Sequence, residues 1–196
     1  MQAFKSYETA KAPVQGGERL PAGGYILVIK NAEEVALSDG GRKLRISFDI
    51  AEGEYKGFYA DNYRAQRDED KKWKGNYDAF VPKEDGSEKD GWTANAFKGT
   101  TTAIEESNSG YHWDWDETKL KGKTVGGVFG NKEYEINGNR GFYTDCRFLT
   151  SVENIRSGKF KLPKDKLLKG TPSQSQSTFR KEDFMDIEVD EKDLPF

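Results

Sequence analysis

The stretch Lys43-Leu44-Arg45-Ile46-Ser47-Phe48-Asp49-Ile50 alternates without a break: Leu44, Ile46, Phe48 and Ile50 share one face, and Lys43, Arg45, Ser47 and Asp49 share the other. A period of two is that of an extended chain, so this segment is expected to be a strand with one face on a core and one in water. Tyr25 to Lys30, before it, carries an unbroken Tyr-Ile-Leu-Val-Ile run, read as a strand buried on both faces or strongly curved. Asp39-Gly40-Gly41 supplies the turn between the two. After the alternating strand, Glu52-Gly53-Glu54 reads as a short hairpin into a third strand from Tyr55 to Arg64.

The segment Arg64 to Gly91 is charged and broken by Pro82 and glycines, and is expected to be a long functional loop. From Trp92 the period changes. Trp92, Ala96, Phe97, Thr100, Ala103 and Ile104 fall at helical spacing, and Asn108-Ser109-Gly110 stops the helix. Leu120 to Tyr134 and Gly141 to Val152 read as two further strands joined by Asn137-Gly138-Asn139, with a last short helix beginning at Val152 and Ile155. Three strands, one helix and two strands is the order of a five-stranded OB barrel, whose helix lies between strands three and four. The expected fold is therefore mainly β: a five-stranded OB-fold barrel spanning residues 24–160. A leader at 1–23 precedes it, and a polar linker at 161–181 and a disordered acidic C-terminal tail at 182–196 follow.

Charge separates along the same boundaries. The whole chain carries a formal -3 at pH 7. Seven acids and one base lie between Glu182 and Phe196, a net -6, which leaves residues 1–181 with 30 bases against 27 acids, or +3. A mildly basic body behind an acidic tail is compatible with salt-sensitive phosphate binding. Aromatic residues make up 13% of a chain that is only 34% hydrophobic, so its rings serve a core or a stacking surface equally well. The lone Cys146 excludes an intrachain disulfide framework, no apolar stretch approaches the length of a membrane helix, and Met1 to Ala12 lacks an export pattern. A soluble, cytoplasmic protein that does not engage a membrane is expected.

An OB barrel binds a single strand on the exposed face of strands two and three and on the bordering loops, where cations meet phosphates and rings stack on bases. Lys43 and Arg45 on strand two, and Tyr55, Lys56, Tyr59, Tyr63 and Arg64 on or beside strand three, supply those groups. The long loop adds Lys71, Lys72, Trp73, Lys74 and Tyr77, and the last hairpin adds Lys132, Asn139 and Arg140 as a second basic lip. For each aromatic the competing reading is a core position, and for each lysine a merely solvated one.

Signals of catalysis are weak. Gly122-Lys123-Thr124 ends like a phosphate-binding loop, but Glu117 stands where such a loop needs its first glycine. His112 is the only histidine, which leaves little basis for a metal site or a nucleophile with its base. Asp116 reads as the cap of a short turn, Trp113 and Trp115 as packing residues, and Gly126-Gly127 as a bulge or bend in a strand. No enzymatic activity, metal or cofactor is expected.

The last four residues, Asp193-Leu194-Pro195-Phe196, follow an acidic run and a Gln/Ser-rich linker. They resemble the acidic tip of bacterial single-stranded-DNA-binding proteins, with Leu194 in place of the usual isoleucine and Lys192 interrupting the acids. A terminal Phe carboxylate suits an apolar pocket with a basic rim. The body is similar to a family of small single-stranded-DNA-binding proteins encoded near replication genes of phages and prophages of Gram-positive bacteria. The similarity rests on Leu20-Pro21-Ala22-Gly23-Gly24-Tyr25, Phe48 to Gly57, Ala103 to Asn108 and Leu120-Lys121-Gly122-Lys123. The resemblance implies a protein that coats single-stranded DNA in replication or recombination and recruits other proteins through Asp193 to Phe196. An adaptor whose OB-like domain binds a replisome protein and no DNA is the alternative. Strand edges are open to pairing between copies, so a homo-oligomer is compatible with either.

Overall fold

The computed structural model describes residues 19–67 and 69–168. The linker from Lys169 onward and the acidic tail lie outside the described residues, as does the leader before Arg19. Five strands form one antiparallel sheet: β1 (Gly23–Ala36), β2 (Arg42–Ile50), β3 (Asn76–Val81), β4 (Thr124–Ile136) and β5 (Asn139–Thr150). Three helices accompany them: α1 (Phe58–Ala65), α2 (Glu88–Ser107) and α3 (Val152–Arg156). The order across the sheet is β3-β2-β1-β4-β5, and no strand pairing joins its two edges, β3 and β5. Along that opening α2 packs against β3, β4 and β5. Its buried face is Phe97, Thr100, Thr101, Ala103 and Ile104. Among the described residues no helix is long and apolar enough to cross a membrane.

The central strand β1 explains the unbroken apolar run. Its first half pairs with β2 on one side and β4 on the other, and a register shift between Ile29 and Asn31 precedes a second half that pairs with β2 alone. One face of that first half lines the core through Leu27 and Ile29. The other is so closely covered that a side chain on Gly24 would strike Phe160 and Ile155. The consecutive glycines of β4, Gly126 and Gly127, serve the same close packing. A Cβ on Gly126 would sit 2.5 Å from Ile155 of α3, and one on Gly127 2.5 Å from Leu27, while the bulge in this strand falls just after them, between Val128 and Phe129.

The alternating segment is β2, with Leu44, Ile46, Phe48 and Ile50 all buried as its period requires. The expected third strand at Tyr55 to Arg64 is instead α1, and the true third strand lies inside the expected loop, at Asn76–Val81. Aromatic content favours a strand. Yet Tyr55, Tyr59 and Tyr63 recur every four residues, which is helical spacing, and Asp49 holds the helix in place. Gly57 precedes α1 at φ 78° and offers no side-chain cap. Asp49, 2% exposed, reaches over from β2, accepting from the amides of Tyr59 at 3.0 Å and Ala60 at 3.3 Å as well as from Ile50 at 2.9 Å. A buried carboxylate thereby satisfies helix-start donors that would otherwise be orphaned.

The helix expected from Trp92 begins one turn earlier, because Ser87 caps it by accepting from the Asp90 amide at 3.2 Å. Its consecutive threonines are tolerated where they bond back to the helix, Thr100 to the Ala96 carbonyl and Thr101 to that of Lys98. Asp116 caps a 3₁₀ turn, Glu117–Leu120, as the sequence indicates. Residues 163–168, beyond the expected domain end, run back along β4. The Lys166 amide donates to the Asn131 carbonyl at 3.0 Å, and the Glu133 amide donates to the Lys166 carbonyl at 2.9 Å. Near the other end of the chain, Leu20 is buried in the core.

Replacing Asp49 with alanine strands the Tyr59 and Ala60 amides, and a loss of about 2–3 kcal/mol is expected in urea unfolding. Asp49→Asn, which keeps one acceptor oxygen, is expected to lose less in the same measurement.

Candidate nucleic-acid interface

The solvent face of β1, β2 and β3 is set by register. Glu33, Arg45 and Asp78 lie abreast, as do Val35, Lys43 and Phe80. Lys43 and Arg45 thus stand on the expected face, but they are not free cations. Arg45 grips Asp78 with two bonds, Nε to Oδ1 at 2.9 Å and Nη2 to Oδ2 at 3.1 Å, and Lys43 Nζ donates to Oδ2 at 2.6 Å. The Arg45 hydrogen bonds, followed by those of Lys43, hold the Asp78 carboxyl below its ordinary value, against a burial that pushes it up. A phosphate reaching this face meets a carboxylate already in the fork of the guanidinium.

The tyrosines expected around the third strand divide between core and surface. Tyr59 is buried, with its ring edge-on to Phe48 at 5.5 Å, and burial pushes its hydroxyl well above the ordinary range. Tyr55 is half-buried against Tyr25 and Phe58, and Tyr77 points into the core beside Thr100. Tyr59 is committed to packing, while Tyr55 and Tyr77 are partly buried against the core. Tyr63 is different: it is 38% exposed, tilted against Trp73 at 5.9 Å, with Lys71 Nζ 5.9 Å from its ring centre.

Trp73 is not a swinging arm. Its Nε1 donates to the carbonyls of Phe48 and Gly75, both at 3.1 Å, and its ring packs against the core. Its chain neighbours Lys72 and Lys74 are exposed, as is Lys56 ahead of α1; Lys72 lies 3.8 Å from Asp70, and Arg64 pairs with Asp61 at 2.6 Å.

The β4–β5 hairpin turns at Asn137 (φ 51°) and Gly138 (φ 77°), the paired positive angles of a two-residue hairpin turn. Its register puts Lys132 opposite Tyr143 and Tyr134 opposite Gly141 on one face. Tyr134 and Tyr143 are both exposed and tilt against each other at 6.2 Å, with Lys132 Nζ 5.4 Å from the Tyr143 ring centre. The hydrogen bond with Tyr143 holds the Lys132 ammonium above its ordinary value. Gly141 has no side chain to spare: a Cβ there would press on the Tyr134 ring at 2.8 Å. Arg140, on the other face, pairs with Glu135 at 2.7 Å. This arm is braced from outside the sheet. Arg19 bonds Asn131 and Thr144, Asn131 Nδ2 donates to Asp165, and the Leu168 amide donates to the buried Glu133 carboxylate at 2.9 Å.

The structure therefore gathers three zones: the Lys43–Arg45–Asp78 face, the Tyr63–Lys71 edge beside exposed lysines, and the Lys132–Tyr134–Tyr143 arm. Sequence reasoning named Lys132 but missed Tyr134 and Tyr143, although their alternation through a hairpin turn was the available signal. Trp115, expected to pack, is largely exposed. Cys146 is half-buried against the core, and burial pushes its thiol up. The tip residues Asp193, Leu194, Pro195 and Phe196 lie outside the described residues. Neither protein-family models nor curated proteins give a match to the chain.

Two outcomes follow for stability. Trp73→Ala is expected to cost about 3 kcal/mol in denaturant, since it empties a core position and frees two carbonyls, whereas Tyr63→Ala is expected to change little. The folded-state depression of the Asp78 carboxyl makes its contribution complete above the ordinary value of 3.8 and lost as pH falls through the lower folded value. The stability gap between native protein and Asp78→Asn should accordingly close on acidification, as thermal melts across pH would show.

Proposed function

We propose that this chain is a non-enzymatic protein that binds single-stranded DNA without sequence preference, in replication or recombination. The observation that carries the reading is the hairpin arm, where two exposed tyrosines tilt together under the Lys132 ammonium on a rigid, braced support. Stacking on such rings is worth about 1–3 kcal/mol per base and tolerates any base, and an adjacent cation meets the phosphate. The Tyr63–Lys71 pair supplies a second site of the same chemistry, and the exposed Lys72 and Lys74 that follow it in the chain add positive charge, as does Lys56 ahead of α1.

The strand order supports the finer reading of the sheet as an OB barrel. β3-β2-β1-β4-β5 with a helix between β3 and β4 is the order such a barrel has when parted between its third and fifth strands, and α2 fills that gap. A long β4–β5 arm at the rim suits a fold whose loops grip the strand. The acidic segment through Asp193 to Phe196 would recruit partner proteins, since its charge is repelled by DNA while Leu194, Pro195 and Phe196 offer apolar groups to a pocket with a basic rim.

Titration of the full chain with oligo-dT, followed by tryptophan fluorescence at several salt concentrations, tests the reading. Quenching that weakens with added salt is expected, and Tyr143→Ala should lower affinity about 5- to 20-fold with an unchanged melting temperature. Absence of any salt-sensitive binding would overturn the DNA reading and favour the adaptor.

A further inference from the structure

Trp115 has no part in the three zones above, yet its placement is costly. The residue is 73% exposed, and its backbone sits at φ 66°, a left-handed conformation that bulky side chains rarely adopt. It forgoes both the burial that stabilises an indole and a relaxed backbone. The ring is nonetheless held: it lies nearly parallel to Phe97 of α2, with an interplanar angle of 10° and centres 6.0 Å apart, and it tilts against Trp113 at the same distance.

These rings border a cleft of about 440 Å³ between α2 and the segment Val81–Glu84. Three cations line it. Arg42 pairs with Glu34 and Lys83 with Asp39, whereas Lys98 is exposed and makes no ion pair among the described residues. Trp113 contributes an unsatisfied group: its Nε1 is buried without an acceptor. Having no exposed surface, that donor is not offered to a ligand in the cleft, and the ring and the unpaired cation are the groups a ligand meets.

We propose that this cleft is a nucleotide subsite, in which a base of single-stranded nucleic acid stacks on Trp115 and its phosphate reaches Lys98. The proposal rests on the nucleic-acid reading and adds to it a contact zone on α2 and the loop that follows it, separate from the hairpin arm. A flat exposed ring and an unpaired cation match the planar base and the anion of a nucleotide.

Trp115→Gly separates binding from folding, because it removes the ring and also relieves the left-handed backbone. In the full chain this variant should remain folded by thermal melting and bind a thirty-nucleotide oligo-dT about 5- to 20-fold more weakly. Trp115→Tyr should restore most of the affinity. Irradiation of the native chain with bromodeoxyuridine-containing oligonucleotide should give an adduct at Trp115. Unchanged affinity in Trp115→Gly, with native binding intact, overturns the subsite alone; absence of binding by the native chain overturns the whole nucleic-acid reading. Failure of the Trp115 adduct to form when irradiation is carried out with excess peptide of residues 190–196 would place that segment in the cleft and overturn the nucleotide as its occupant.

Discussion

The fold hangs on a cluster of rings set edge to face where four elements meet. Phe129 of β4 packs at 5.3 Å against Tyr25 of β1 and at 5.9 Å against Phe48 of β2, and Phe48 in turn meets Tyr59 of α1 at 5.5 Å. Burying such rings contributes more than any other side-chain class, and edge-on geometry adds to it. The cluster also decides what is left for function. Each aromatic it consumes is lost to a binding surface, and it consumes Tyr59 outright and Tyr55 in part. The rings that remain exposed include those on the β4–β5 arm, at the end of α1 and on the connection after α2, with Phe80 of β3 and Trp92 of α2 exposed as well.

Charge follows a related logic. Much of the basic surface is already paired within the protein: Arg45 and Lys43 to Asp78, Arg64 to Asp61, Arg140 to Glu135. Exposed pairs of this kind contribute little to stability and are readily exchanged for a phosphate, but the bidentate grip on Asp78 is tighter and more selective. A surface arranged in this way favours moderate, salt-dependent affinity over a strongly basic groove. It is consistent with a body whose net charge is only slightly positive.

Where a single rule governed a segment, the sequence was enough to read it. The alternation of β2 predicted its buried face residue by residue, the Asn137-Gly138 turn predicted the hairpin, and Asp116 predicted a capped turn. Where two rules competed, the local signal misled. Tyr55 to Arg64 has the composition of a strand and the spacing of a helix, and a carboxylate from the preceding strand decided between them. The six residues of β3 sit in a charged, glycine-broken stretch whose strand character comes from pairing with β2. Trp113 and Trp115 are two residues apart and identical in chemistry, yet one is half-buried and the other stands largely in water.

The sequence by itself determined the strand-rich class, the alternating strand β2, the position of the long helix and the separation of charge between body and tail, because each is written in local period or composition. Tertiary structure alone decided which aromatic rings became core and which stayed available, and which cations were already paired. Those outcomes depend on partners far away in the chain, such as Asp78 opposite Arg45 or Phe129 against Tyr25 and Phe48. No local pattern records them, since the same tyrosine or lysine satisfies its own neighbourhood equally well in either place.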